Sequence, residues 1–209
     1  MLQKIPKKIL IVIKILLVIL TITIGIFISK NNYGNSNQKK LVELKINRVL
    51  DGDTIEGKIN NKKVTIRFYG IDTPETLKEN NKNKLANYEN YYANIAKNVL
   101  TNKIDSEDKF YYMHFDTDEY GRDVGLIYFK NINNNDFKST LNSLMVEKGL
   151  ARVAYIQNSN FKQKYYTKNQ IQKDFYSYII GVEEKSKNEG NGFWNLELDQ
   201  VFYKYKKMV

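Results

Sequence analysis

Asp53, Asp72 and Glu75 lie with Arg67 in one stretch, VLDGDTIEGKINNKKVTIRFYGIDTPE, over residues 49–75. Three carboxylates and an arginine within the length of a hairpin can hold a hard cation next to a phosphate. A second arginine, Arg122 in DEYGR, adds another anion-binding group. Cutting a phosphodiester makes just these demands. The diester is anionic and repels hydroxide, so positive charge must sit near phosphorus, and donors must meet the charge that grows on the equatorial oxygens. An aspartate pair holding a divalent ion meets the first demand, and planar arginine forks meet the second. With no cysteine and one histidine in the chain, ligation is by oxygen, which points to Ca2+ first and Mg2+ second. Glu75, behind the fixed turn of Pro74, is the candidate to activate or orient the attacking water.

These residues need strands to place them. Leu44, Ile46 and Val49 begin a first strand, and Asp51-Gly52 supplies a turn residue able to take positive φ. Thr54–Ile59 is expected as a second strand and Asn60-Asn61 as a tight hairpin turn. Val64, Ile66 and Phe68 alternate with polar residues along a third, so Arg67 points away from their face. Asp53 then starts one strand and Asp72 ends the strand carrying Arg67, where antiparallel neighbours bring the two carboxylates together. A helix is expected over 86–101, strands over 109–115 and 124–129 joined through Tyr120-Gly121, a helix capped by Ser139 and stopped by Gly149, and a last helix over 163–187. The fold class is α+β, mainly β: a five-stranded barrel of the OB type with about three helices.

Composition bounds the rest. The net charge is +10; beyond residue 28, 29 basic residues face 23 acidic ones, and such a surplus favours an anionic partner. The absence of cysteine excludes disulfides, thiol nucleophiles and thiolate zinc sites. A single histidine, His114, excludes multi-histidine metal sites and reads as a strand residue. Lys4, Lys7 and Lys8 precede an apolar run over 9–28, close to the roughly 20 residues that cross a bilayer. The domain plan is therefore a signal anchor over 1–28, a polar linker over 29–40 and a folded domain over 41–209. The anchor would leave the lysines cytoplasmic and the domain extracellular at the cell membrane; a cleaved secretory signal is the alternative.

VLDGDT, RFYGIDTPE, DEYGR and GLARVAYI, in that order, resemble the staphylococcal nuclease, or thermonuclease, family over roughly residues 41–194. The resemblance implies an OB-fold barrel and a Ca2+-dependent phosphodiesterase acting on DNA and RNA, with water attack on phosphorus and 3′-phosphate products. It implies Asp53, Asp72 and the Thr73 carbonyl as metal ligands, Glu75 as general base, Arg67 and Arg122 as phosphate-binding catalytic residues, and Tyr120 and Tyr155 as substrate-binding residues. No obligate protein partner is implied, and a monomer is expected. Glu119 stands where a basic residue is expected, Gln157 where a further tyrosine is, and the loop before DEYGR is shortened. A competing reading is a non-catalytic OB module binding nucleic acid at the cell surface, which has no use for three carboxylates together.

Overall fold

The computed structural model describes residues 16, 17, 19–21, 23, 41–81, 84–130, 135–203 and 205. The chain divides into two compact units, 1–38 and 39–209. In the first, the described residues are helical. The membrane span expected over 9–28 falls largely, and the linker over 29–40 wholly, outside the described residues. Among the described residues no helix is long and apolar enough to cross a membrane.

The second unit runs through β1 (Val42–Asp51), β2 (Thr54–Ile59), β3 (Lys62–Phe68), β4 (Ile71–Asp72), α1 (Glu89–Asp105), β5 (Phe110–Thr117), β6 (Asp123–Tyr128), α2 (Leu141–Glu147), β7 (Arg152–Val153), α3 (Gln170–Asn188) and the single-turn α4 (Leu198–Val201). Five strands close a barrel in the order β1-β2-β3-β6-β5, the expected architecture. The β2–β3 turn has Asn60 and Asn61 at φ 48° and 63°, the left-handed pair that matches strand twist in a two-residue hairpin. Alternation then fills the barrel: Ile55, Ile66, Phe68 and Leu44 are buried, joined by Met113 and Leu126. All other barrel pairs are antiparallel, but β3 and β6 run parallel, with Arg67 beside Val124.

Beyond Phe68 the chain departs from the expected course. It turns through Tyr69 and Gly70, the latter at φ 77°, where an added Cβ would also press on Phe175 at 3.0 Å. Asp72 therefore does not end the strand of Arg67; it lies in β4, which pairs with β7 so that Asp72 faces Arg152. Buried Asn142 of α2 secures this corner, donating to the carbonyls of Tyr69 (3.0 Å) and Gly125 (3.2 Å) while accepting from the Ile127 amide (3.2 Å).

Three helix starts also differ, and the first is α1, expected over 86–101 but running Glu89–Asp105. Ser139 sits in a one-turn 3-10 segment, Phe137–Ser139, and Thr140, with extended backbone, caps α2 by accepting from the Ser143 amide at 3.1 Å. The last helix begins only at Gln170, behind the cap Asn169, because residues 157–167 are committed to a hydrogen-bonded loop. A small second core of Phe193, Val201 and Phe202 packs the C-terminal segment against Tyr92 of α1.

Candidate active site

Asp53 opens the site at the start of β2. Gly52 before it does not take positive φ; its role is close approach. A Cβ at Gly52 would lie 2.7 Å from the Cβ of Ala96 and 3.1 Å from the side chain of Thr73. That room lets Thr73 close on Asp53, whose Oδ2 accepts both the Thr73 amide and hydroxyl at 2.9 Å. Asp53 Oδ1 accepts the Thr54 hydroxyl at 3.0 Å and meets Nη1 of Arg67. The carboxylate is 2% exposed and every bond it makes comes from a donor.

Asp72 reaches the same arginine from β4. Its Oδ1 accepts from Arg67 Nη2 at 3.0 Å, and that nitrogen also donates to the Ile71 carbonyl at 3.3 Å. Its Oδ2 takes Nη2 and Nε of Arg152 at 2.9 and 3.2 Å. Arg152 in turn lies over the rings of Phe202 and Tyr205, with Cζ 4.4 and 5.2 Å from their centroids. Two buried carboxylates thus meet two guanidinium groups, and the quartet is formally neutral.

Glu75 follows on the loop beyond Pro74. Its side chain is 45% exposed and lies 4.0 Å from Lys78, which also reaches Asp51 at 3.1 Å. Among the described residues no group of three or more acidic, histidine or cysteine side chains gathers as a metal cage. Asp53 and Asp72 thus meet on Arg67, and Glu75 lies three residues beyond Asp72 on the adjoining loop. The Glu75 backbone is held by a different acid. The carboxylate of Glu89, at the start of α1, is hydrogen-bonded to the backbone of Glu75 and also accepts the amides of Ala86 (2.8 Å) and Tyr203 (2.9 Å). Burial raises the Glu89 pKa above its ordinary value, against the pull of these three backbone bonds.

Arg122 comes from the β5–β6 turn. Asp118 builds that turn: its Oδ1 accepts the amides of Tyr120 (3.0 Å) and Arg122 (2.9 Å), and its Oδ2 accepts Arg122 Nε at 2.7 Å. Burial pushes the Asp118 pKa up, but the backbone and side-chain bonds of Arg122 outweigh it and hold the pKa below its ordinary value. Because Arg67 pairs with Val124 in the parallel register, Arg122 lies two positions back along the neighbouring strand. That is about 6–7 Å of strand from Arg67's partner. Topology therefore brings the two arginines to one edge.

Tyr120 is exposed and flanks Arg122, its ring centroid 5.3 Å from Cζ. Tyr155, at φ 58°, lies beside the other arginine, 5.8 Å from Arg67 Cζ. His114 sits on β5 as expected, with Nδ1 3.0 Å from the Tyr112 hydroxyl. Sequence reasoning overlooked Arg152, Asp118 and Glu89. Asp118 was readable as a turn-forming side chain in DTDEYGR. Arg152 was visible as a charge inside the apolar run GLARVAYI, whereas nothing in the sequence marked Glu89.

A family described as staphylococcal nuclease homologue matches residues 65–196. That stretch includes Arg67, Asp72, Thr73, Glu75, Tyr120, Arg122, Arg152 and Tyr155; Asp53 lies outside it, and its place rests on the geometry. The chain is 37% identical over 131 residues to endonuclease YncB of Bacillus subtilis (strain 168), covering 61% of this chain and 56% of that protein. It is 32% identical over 160 residues to the SPbeta prophage-derived endonuclease YokF of the same organism, covering 75% and 45%. With the thermonuclease of Staphylococcus hyicus the identity is 30% over 118 residues, covering 56% and 62%. The matched stretch thus spans about half the length of the two Bacillus relatives.

Proposed function

This chain belongs to the family of staphylococcal nuclease homologues, and from that premise we propose that it is a nuclease that hydrolyses phosphodiester bonds of DNA and RNA. The observation that carries the reading is the meeting of two buried carboxylates, Asp53 and Asp72, on the single guanidinium of Arg67.

The residues fit a hard cation. The two Oδ1 atoms already converge on one positive group, and the surrounding donor chemistry is oxygen, with no sulfur or imidazole. Asp53, Asp72 and the Thr73 carbonyl would hold Ca2+, which when bound supplies the positive charge that lets an oxygen nucleophile approach an anionic diester. Arg67 and Arg122 donate to the non-bridging phosphate oxygens and are worth most as charge builds there. Arg67 must give up part of its present bonding to do so, since its Nη1 and Nη2 serve two carboxylates and a carbonyl. Asp118 fixes Nε of Arg122 and so aims the rest of its fork. Glu75, solvent-accessible and anchored through its backbone, orients or deprotonates the attacking water. The 5′-oxygen leaves and the product keeps a 3′-phosphate.

We place this chemistry outside the cell, on a domain tethered through residues 9–28, on the strength of the apolar run behind Lys4, Lys7 and Lys8. Full-mass protein in the washed membrane fraction supports the tether; a shortened soluble form in the medium refutes it. The activity is tested by incubating the full chain with single-stranded DNA, with Ca2+ or with chelator, and identifying the product ends. Calcium-dependent cleavage to 3′-phosphates is expected. Glu75→Ala and Arg122→Ala are expected to cut turnover by orders of magnitude with the fold intact. A folded wild-type protein that cleaves nothing leaves the binding-module reading in its place.

A further inference from the structure

Tyr165 has no part in the site as drawn so far, yet its backbone holds a conformation that tyrosine rarely adopts. Four non-glycine residues among those described have positive φ. Two are Asn60 and Asn61, a residue type that tolerates the left-handed region in a turn. The other two are Tyr155 at 58° and Tyr165 at 69°. Their rings meet edge to face, with centroids 5.2 Å apart and planes at 68°. The Tyr155 ring also flanks Arg67, whose guanidinium carbon lies 5.8 Å from its centroid. Neither ring is buried: Tyr155 is 38% and Tyr165 44% exposed.

A turn alone would be served with less strain by glycine or asparagine. A core contact would have buried the rings. Two strained tyrosines instead present half-open rings side by side at the edge of an arginine cluster. Strain of this kind persists only where surrounding structure enforces it. Here Gln157 does so. Its amide donates to the Tyr165 carbonyl at 2.9 Å, and its own carbonyl accepts the Thr167 amide at 3.0 Å. Its side chain accepts the amides of Ser159 and Asn160 and donates to the Asn160 carbonyl. The loop that carries Tyr165 is thus tied in place before any ligand arrives. Lys164 adds positive charge, with Nζ 5.1 Å from the Tyr165 centroid.

We propose that Tyr165 is a substrate-binding residue: with Tyr155 it forms a stacking platform for the nucleobase next to the phosphate held at Arg67. Both residues keep more than a third of their surface exposed, and every base offers a flat face that can stack on an aromatic ring. The platform selects nucleobases over bare sugar-phosphate while tolerating sequence. This inference rests on the reading of the site as one for nucleic acid, and its test is chosen to fail separately from the claim of cleavage.

The test uses Tyr165→Gly in the full chain, because glycine adopts positive φ freely and removes the ring without disturbing the backbone. Binding of fluorescent oligothymidylate and of an abasic oligomer with the same number of phosphates is measured by anisotropy in chelator. Tyr165→Gly should weaken oligothymidylate binding roughly 5- to 150-fold, the worth of one stacked base. Abasic binding should stay within about twofold of wild type. Tyr165→Phe, which keeps the ring, should bind both as wild type does. Thermal unfolding of Tyr165→Gly should occur no lower than that of wild type, since strain is removed. Undiminished oligothymidylate binding by the glycine variant overturns the proposal, as does equal weakening for both oligomers. A wild-type protein that shows this base-dependent binding but cuts no substrate with Ca2+ sinks the nuclease reading and leaves the platform standing.

Discussion

Replacing Arg152 by methionine isolates what holds Asp72 in place. Methionine keeps an unbranched apolar stem against Phe202 and Tyr205 but removes the charge and both bonds to Asp72 Oδ2. Breaking a buried ion pair by deleting one partner costs about 3–5 kcal/mol, because the remaining charge is left uncompensated. Here Asp72 keeps Arg67 at 3.0 Å, so the lower part of that range applies. Loss of the guanidinium over two rings adds about 0.5–2 kcal/mol, part of which the methionine recovers. The net expectation is a loss of about 2–4 kcal/mol. For a domain of this size that lowers Tm by roughly 5–15 °C. Urea unfolding followed through the sole tryptophan, Trp194, reads the change directly, since that residue packs beside Phe193 in the same C-terminal cluster. Arg152→Lys should fall between wild type and methionine, because lysine restores a charge without the fork. An Asp72→Asn background should remove roughly 1–3 kcal/mol of the Arg152→Met effect as coupling. A methionine variant within about 0.5 kcal/mol of wild type would refute the argument, as would a full effect that survives in the Asp72→Asn background.

Glu89 has its folded-state pKa raised by burial, so its contribution to stability is fully present below the ordinary glutamate pKa and is lost as pH rises through the raised value. Glu89→Gln has no such titration, so the stability of the variant relative to wild type should grow as pH is raised across that window in denaturant titrations; a pH-independent difference sinks the idea. Because Asp53, Asp72, Arg67 and Arg152 are jointly neutral, chelator alone should leave Tm within a degree or two, the range of minor surface changes. Adding Ca2+ to about 100 times its dissociation constant should stabilise the fold by about 2.7 kcal/mol, and unfolding of the chelated protein at ambient temperature would contradict the neutral-quartet account.

The barrel was legible because its code is periodic and local. Thr54–Ile59 and the alternation through Phe68 give β2 and β3, and Asn60-Asn61 names its own turn. What escaped was set by pairing across long separations. β4 and β7 have two residues each, too few for any period to show, yet they move Asp72 off the strand of Arg67 and set it opposite Arg152. Gly52 suggested positive φ, but contact with Ala96 and Thr73, distant in sequence, decided its role. Ser139 and Thr140 can both cap by type, with serine the stronger, and extended backbone at Thr140 settled the choice. The residues of the proposed site carry their chemistry in their identities, so Asp53, Arg67, Asp72 and Thr73, which the fold brings together, could be named from sequence. Arg152, which holds Asp72, and Glu89, which holds the Glu75 backbone, are ordinary until the fold buries them.

Those holding residues suggest a division of labour between the two arginines. Arg152 turns Nε and Nη2 to one oxygen of Asp72 and is covered by two rings of the C-terminal segment, so any movement would leave that buried carboxylate with fewer donors. Arg67 spreads its bonds over Asp53, Asp72 and the Ile71 carbonyl, and each of the two carboxylates has other donors: Thr73 and Thr54 for Asp53, Arg152 for Asp72. A bound phosphate can therefore draw Arg67 away without orphaning either acid. A site with one arginine would face a conflict, because the group that neutralises the carboxylates during folding would also be the group needed by substrate. Here Arg152 keeps Asp72 compensated throughout, and Arg67 is left exchangeable. In the proposed nuclease, Phe202 and Tyr205, remote in sequence from the carboxylates, would thereby become a condition for releasing Arg67 to the substrate.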